Sequence, residues 1–231
     1  MLEHGGRLRA AAQRYGIALA DWVDLSTGIN PAPYPVPTLP ADAWQRLPET
    51  DDGLEAAAAR YYGSPLLLPV AGSQAAIQAL PGLFPPGRVV TLAPTYAEHP
   101  HAWRGHRVDA LPAAAIDAAV ATADTLLLVQ PNNPDGQRFA RAQLLDWHAR
   151  LAARGGRLIV DEAFLDAEPA DSLVPLAGTP GLVVLRSIGK FFGLAGARVG
   201  FVFADAALLE QLADRLGPWA VSGPARAVCT A

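Results

Sequence analysis

Apolar residues fall along this chain in short unbroken runs, separated by Ala-rich stretches and turn-forming clusters. The runs are Val89 to Ala93, Thr125 to Val129, Leu158 to Val160, Leu182 to Leu185 and Val199 to Phe203. Continuous runs of this length are the pattern of strands covered on both faces. Between the second and third, Arg141 to Arg154 reads as a helix closed by Gly155-Gly156. Upstream, Arg7 to Tyr15 and Gly53 to Tyr62 read as helices, the second ended by Gly63. Gln74 to Leu80 reads as another, with Ser73 as its N-cap and Pro81 as its stop. Buried strands separated by helices predict an α/β fold with a mainly parallel, helix-flanked sheet. The last strand is expected to run antiparallel, because only Lys190 to Arg198 separates it from its predecessor. Asp24 to Pro31 has the turn chemistry of a structured loop, and the five prolines of Pro31 to Pro40 predict an extended segment.

The 231 residues suit one large domain or a domain and a half. With 51% hydrophobic and 17% charged residues the chain is globular, and a net charge of −4 offers no basic excess for a nucleic-acid partner. No run of 18 apolar residues predicts a membrane span. The start, Met1 to Gly6, lacks the basic and apolar regions of a signal peptide, so a cytoplasmic location is expected. The single cysteine, Cys229, excludes an internal disulfide framework and a cysteine-built zinc site. His99 and His101 stand two apart on an expected helix and point to different faces, so no metal is expected there.

One count changes the picture. Of the 18 basic residues, every one is Arg except Lys190. A GC-rich coding sequence explains the drift from Lys to Arg, but not the one Lys that stays. An amine can lose its proton and form an imine, and a guanidinium cannot, so Lys190 is a candidate nucleophile.

Ligands of α/β sheets bind at the carboxyl ends of the strands. Those ends carry Pro94-Thr95-Tyr96, Gln130 to Gly136, Asp161 to Phe164 and Arg186 to Lys190. An aromatic, an amide, a carboxylate and the single lysine thus converge on one edge. The set suits pyridoxal phosphate. The amine forms the Schiff base, the carboxylate keeps the pyridine nitrogen protonated, the amide serves the ring 3-oxygen and the aromatic stacks on the ring. Gly72-Ser73-Gln74 at a helix start and the cation of Arg198 suit the phosphate.

Asn133-Pro134-Asp135-Gly136, Asp161-Glu162-Ala163-Phe164 and Ser187 to Lys190 followed by Gly193 to Arg198 resemble the fold-type-I pyridoxal phosphate enzymes. The resemblance is to the histidinol-phosphate aminotransferase-like branch of the aspartate aminotransferase superfamily and covers almost the whole chain. Three features are similar to the threonine-phosphate decarboxylases of cobalamin biosynthesis: His4-Gly5-Gly6, Leu25 to Pro31, and Phe164 where aminotransferases usually carry Tyr.

The resemblance implies catalytic roles for Lys190 and Asp161. It implies a cofactor site of Gly72, Ser73, Gln74, Tyr96, Asn133, Asp161, Ser187, Lys190 and Arg198, and a substrate site of His4, Gly5, Asn30 and Asn133. The implied reaction is decarboxylation of L-threonine O-3-phosphate to (R)-1-aminopropan-2-yl phosphate by a homodimer in its full-length form. An aminotransferase acting on a phosphorylated amino acid of the histidinol-phosphate type is the alternative, with a cofactor-binding but inactive chain as a third reading. The implied organisation is an N-terminal arm with part of a small domain at 1–45, a large cofactor-binding domain at 46–215, and the start of a connection at 216–231. Relatives continue into a C-terminal small domain on the order of 100 residues that carries the substrate-clamping arginines. The expectation is that this chain ends before it and turns over substrate poorly. Three departures stand out. Phe164 donates no hydrogen bond, Leu47-Pro48-Glu49 replaces a usual Tyr-Pro-Asp, and Gly189 replaces a frequent phosphate-binding Ser.

Overall fold

A computed structural model describes residues 2–231. In chain order the elements are α1 (Leu8–Tyr15), α2 (Asp42–Gln45), α3 (Leu54–Tyr62), β1 (Leu67–Val70), α4 (Ser73–Ala79), β2 (Arg88–Leu92), α5 (Glu98–Ala102), β3 (Arg107–Leu111), α6 (Ala113–Val120) and β4 (Thr125–Val129). Then follow α7 (Arg141–Ala152), β5 (Arg157–Asp161), β6 (Leu182–Ser187), β7 (Gly200–Phe203), α8 (Ala206–Leu216) and α9 (Gly223–Thr230). The strands form one seven-stranded sheet in the order β1-β7-β6-β5-β4-β2-β3. The pairs from β3 through β6 are parallel, and β7 is antiparallel to both β6 and β1, as its short connection predicts.

Burial explains why these runs become strands. Residues of β4, β5 and β6 alternate between two apolar layers. Leu126, Leu128, Leu158, Val160, Leu182 and Val184 face one, beneath α3, α6 and α7. Leu127, Ile159, Val183 and Leu185 face the other, beneath α4 and α8. Two strands escape the sequence pattern. In β1, Pro69 interrupts the run, which only a sheet edge tolerates, and β1 is an edge strand. At the opposite edge, β3 is half-exposed and mixes charged with apolar residues. The expected N-cap also moves by one residue. Gly72, at φ 72°, caps α4, while Ser73 is its first helical residue and makes no side-chain cap bond.

The order β3-β2-β4 contains the reversal that opens a crevice in such sheets. From β2 the chain leaves toward one edge, and from β4 toward the other. The register pairs Val129 with Asp161 and Asp161 with Leu185, so β4, β5 and β6 end at one level. Alternation then puts Asp161 and Ser187 on the α4 side. Glu162 and Arg186 lie behind them on the other side, where Arg186 donates to Glu162 Oε2 at 3.0 Å and to Asp166 Oδ1 at 2.7 Å.

The last helix is fastened by charge. Arg226, 5% exposed, donates to both oxygens of Asp52 at 2.6 Å and to Glu55 at 2.7 Å, joining α9 to α3. The hydrogen bond from Arg226 holds the Asp52 carboxyl below its ordinary range, against the opposing effect of burial. A carboxyl depressed in the folded state stabilises it above the unfolded value, about 3.9, and that contribution is lost as pH falls through the folded value. Amide exchange across α9 is therefore expected to accelerate below about pH 4 more than exchange in β4 and β5, and Asp52→Asn is expected to flatten that difference.

Candidate active site

Below the β2–β4 crevice lies a cavity of about 110 Å³ lined by Ser73, Gln74, Tyr96, Asn133, Asp161, Phe164, Ser187, Lys190 and Arg198, among others. Eight of the nine residues expected at the cofactor line it. The ninth, Gly72, sits behind Arg198. A Cβ at Gly72 would lie 2.5 Å from the Arg198 guanidinium, so the missing side chain is what lets that cation pack against the start of α4. Arg198 itself adopts a left-handed backbone, φ 54°, and donates to the Ala195 carbonyl at 3.1 Å.

The charged groups are set by burial. Asp161 is 4% exposed. Its Oδ2 lies 2.9 Å from His99 Nε2, and its Oδ1 accepts from the Ala163 amide at 3.1 Å. Burial pushes the Lys190 ammonium below its ordinary value, with Asp161 opposing and Arg198 reinforcing the shift. A larger share of its amine is then neutral and nucleophilic. Its Nζ lies 5.5 Å from the centre of the Phe164 ring, so an apolar face replaces the phenol that a tyrosine would bring. Burial also raises the Tyr96 phenol, which keeps it neutral. Ser187 Oγ accepts from the Gly189 amide at 3.2 Å.

A second cavity, about 670 Å³, adjoins the first and shares Tyr96, Asn133, Phe164 and Lys190 with it. Its outer wall is the N-terminal segment, with Glu3, His4, Gly5 and Ser26 to Gly28. A Cβ at Gly28 would lie 2.9 Å from the Phe164 ring, so a larger residue there would have to displace that ring. His4 and Gly5 therefore reach the expected place. Asn30 does not. Its amide donates to the Phe191 carbonyl at 2.8 Å and its Oδ1 accepts from the Ala32 amide at 2.9 Å. Its own N–H bonds the Lys190 carbonyl at 3.0 Å. The side chain that was expected to line the substrate site instead fixes the loop carrying Lys190.

Two residues without an assigned role in the sequence turn out to organise the site. His99, 1% exposed, supports Asp161. Its signal was its place three residues after Tyr96, where the chain enters α5. Glu98 collects three donors. Oε1 lies 2.6 Å from His4 Nε2, while Oε2 accepts from Gln74 at 2.7 Å and Gln78 at 2.9 Å. Burial raises the Glu98 carboxyl, but the bonds from Gln74 and His4 outweigh it, and the net shift is downward. No sequence signal joins positions 94 residues apart.

The donor set fits pyridoxal phosphate. An amine and a carboxylate face one small cavity together with an amide and a phenol ring, and hydroxyls with a guanidinium close it. Residues 39–231 match the family described as aminotransferase class I and II. The chain belongs to the class I and II aminotransferase family. It is 60% identical to a threonine-phosphate decarboxylase of Pseudomonas aeruginosa over 99% of this chain and 70% of that protein. It is 49% identical to a threonine-phosphate decarboxylase of a Sinorhizobium species, again over 99% of this chain and 70% of that one. Among solved structures it resembles L-threonine-O-3-phosphate decarboxylase from Porphyromonas gingivalis, with a TM-score of 0.70 and 25% identity over 81% of this chain and 63% of that one. The histidinol-phosphate aminotransferase of Clostridium acetobutylicum shares the fold, with a TM-score of 0.75 and 20% identity over 89% of this chain and 67% of that one. Within this aminotransferase-family chain, the sheet edge and the α5 residues Glu98 and His99 hold the site from below, and the N-terminal segment covers it from outside.

The Glu98 contact is what ties that segment down. Glu98→Gln is expected to release it. Amide exchange at Gly5 and Gly6 should rise on the order of tenfold, the scale of one charged hydrogen bond, while β4 and β5 stay protected. Unchanged exchange at Gly5 and Gly6 would show that the bond from the Gly6 amide to Ser26 Oγ, at 2.8 Å, holds the segment without Glu98.

Proposed function

We propose that this chain catalyses the pyridoxal-phosphate-dependent decarboxylation of L-threonine O-3-phosphate, giving (R)-1-aminopropan-2-yl phosphate and carbon dioxide. The observation that carries the reading is the pairing of the burial-shifted Lys190 amine with the His99-supported Asp161 carboxylate around one cavity, next to a larger cavity closed by His4 and Gly5. The 60% identity to the Pseudomonas aeruginosa protein supports the choice of substrate.

The cofactor, when bound, supplies an electron sink for the pair of electrons released at the substrate α-carbon. Lys190 presents the amine that holds the cofactor, and its lowered basicity eases loss of the amine proton. Asp161 keeps a proton on the pyridine nitrogen, and His99 with the Ala163 amide fixes the carboxylate that does so. Asn133 serves the ring 3-oxygen alone, because Phe164 has no donor. Tyr96 covers the ring. Ser73, Gln74, Ser187 and Arg198 take the cofactor phosphate. Gln74 does so through its backbone, since its side-chain amide is bonded to Glu98. The Lys190 amine would be placed to return a proton to the substrate α-carbon after carbon dioxide leaves. His4, Gly5 and Asn133 line the space for the rest of the substrate.

No helix among the described residues is long and apolar enough to cross a membrane. A cytoplasmic homodimer serving cobalamin biosynthesis completes the proposal.

The test is stoichiometric. Cofactor-loaded protein given phosphothreonine is expected to release carbon dioxide without any added keto acid. Lys190→Arg is expected to abolish that release and the covalent cofactor label left by borohydride, because a guanidinium forms no imine. Turnover that requires a keto acid would establish an aminotransferase instead.

A further inference from the structure

The two cavities are joined by more than the residues they share. A chain of polar contacts runs behind them. At its inner end, Tyr96 and Gln74 line the smaller cavity. At its outer end, His4 lines the larger one. The Tyr96 hydroxyl makes a long hydrogen bond, 3.5 Å, to Gln74 Oε1. Gln74 Nε2 donates to Glu98 Oε2 at 2.7 Å, and Gln78 Nε2, one turn further along α4, donates to the same oxygen at 2.9 Å. The other oxygen, Oε1, lies 2.6 Å from His4 Nε2. Glu98 thus gives one carboxylate oxygen to α4 and the other to the N-terminal segment. It is 9% exposed, so water replaces these partners poorly. Its neighbour His99 holds Asp161, so consecutive residues of α5 reach one group at each cavity.

The outer end of the chain is the looser one. The His4 side chain is 46% exposed. Two residues on, the Gly6 amide donates to Ser26 Oγ at 2.8 Å, and that contact is open to solvent. The inner end is where the cofactor would act. A group that fills the smaller cavity covers the Tyr96 ring and fixes the first turn of α4, which carries Gln74. Glu98 then has fewer positions open to it, and His4 meets a partner that is already ordered. The second ordering step costs less entropy than it would alone.

We propose that Glu98 is a positioning residue that couples cofactor occupancy of the smaller cavity to closure of the N-terminal wall of the larger one. The inference rests on the reading that pyridoxal phosphate fills the smaller cavity. Filling that cavity tightens the wall of the substrate space. Coupling between two binding events is reciprocal, so docking of His4 strengthens the hold on the cofactor by the same factor. A carboxylate that served only to pack α5 on α4 would loosen the segment when altered, but equally with and without cofactor.

The test uses that difference. Parent, Glu98→Gln and His4→Leu proteins are prepared free of cofactor and loaded with pyridoxal phosphate. Exchange of the Gly6 amide is followed by NMR, and the cofactor dissociation constant is read from visible absorbance. In the parent, loading is expected to slow Gly6 exchange about fivefold or more, the lower end of common couplings between sites. In Glu98→Gln, loading should change it by less than about twofold. Both variants should weaken cofactor binding, each by about the factor that loading gives in parent exchange. His4→Leu changes a half-exposed side chain near the chain start, so its cofactor affinity tests the coupling even if Glu98→Gln disturbs the packing of α5. Equal loosening of Gly6 with and without cofactor in Glu98→Gln, or unchanged cofactor affinity in His4→Leu, would overturn the proposal. A parent that takes a borohydride-stable label at Lys190 while Gly6 ignores loading would overturn the coupling alone. A parent that takes no such label would overturn the cofactor reading, and the coupling with it.

Discussion

The contact between Asp161 and His99 joins the parts of this molecule on which its chemistry depends. Asp161 closes β5, at the centre of the sheet, and His99 comes from α5, which packs against α4. Their 2.9 Å approach requires that β2, β4 and β5 hold their register and that α5 stay docked. Register slips are costly here because both faces of the strands are buried, and a one-residue shift would move each side chain to the wrong layer. The same alternation that fills the two apolar layers puts Asp161 and Ser187 on the side of the smaller cavity. It sends Glu162 and Arg186 to the other.

Behind the site, that second set of charges does a related job. Glu162 and Asp166 are pushed upward by burial, and the charge of Arg186 opposes the shift. Arg186 spans from β6 to the residues that follow β5, so the ion cluster stitches together the two strand ends that carry Asp161 and Ser187. Buried ion pairs add little net stability compared with apolar packing, but leaving one member unpaired is expensive. Here the cluster fixes where the strands end. The cavity in front depends on that more than on the strength of any one bond.

The sheet and the residues that line the smaller cavity were legible in the sequence for one reason. Both follow from local pattern: continuous apolar runs make the buried strands, and the residues just past each run make the strand-end chemistry. Lys190 announced itself by being the single lysine among arginines. What escaped depends on contacts between distant positions. Strand β1 hides behind Pro69, and its edge position is visible only once the sheet order is known. Glu98 and His99 look like ordinary helix residues until His4 and Asp161 arrive from elsewhere in the chain. Asn30 is a contact of the same kind: the motif does not show that its amide bonds the Phe191 carbonyl and the Ala32 amide, or that its N–H bonds the Lys190 carbonyl.

The central claim is that a buried carboxylate, held by a histidine, keeps a proton on the cofactor ring while a neighbouring amine captures the cofactor. Nitrogen NMR of isotope-labelled pyridoxal phosphate bound to the protein reads that proton directly. The account predicts a protonated pyridine nitrogen near neutral pH in the parent, and loss of that proton in Asp161→Asn at unchanged cofactor occupancy. A deprotonated nitrogen in the parent, or a proton that survives Asp161→Asn, would contradict it.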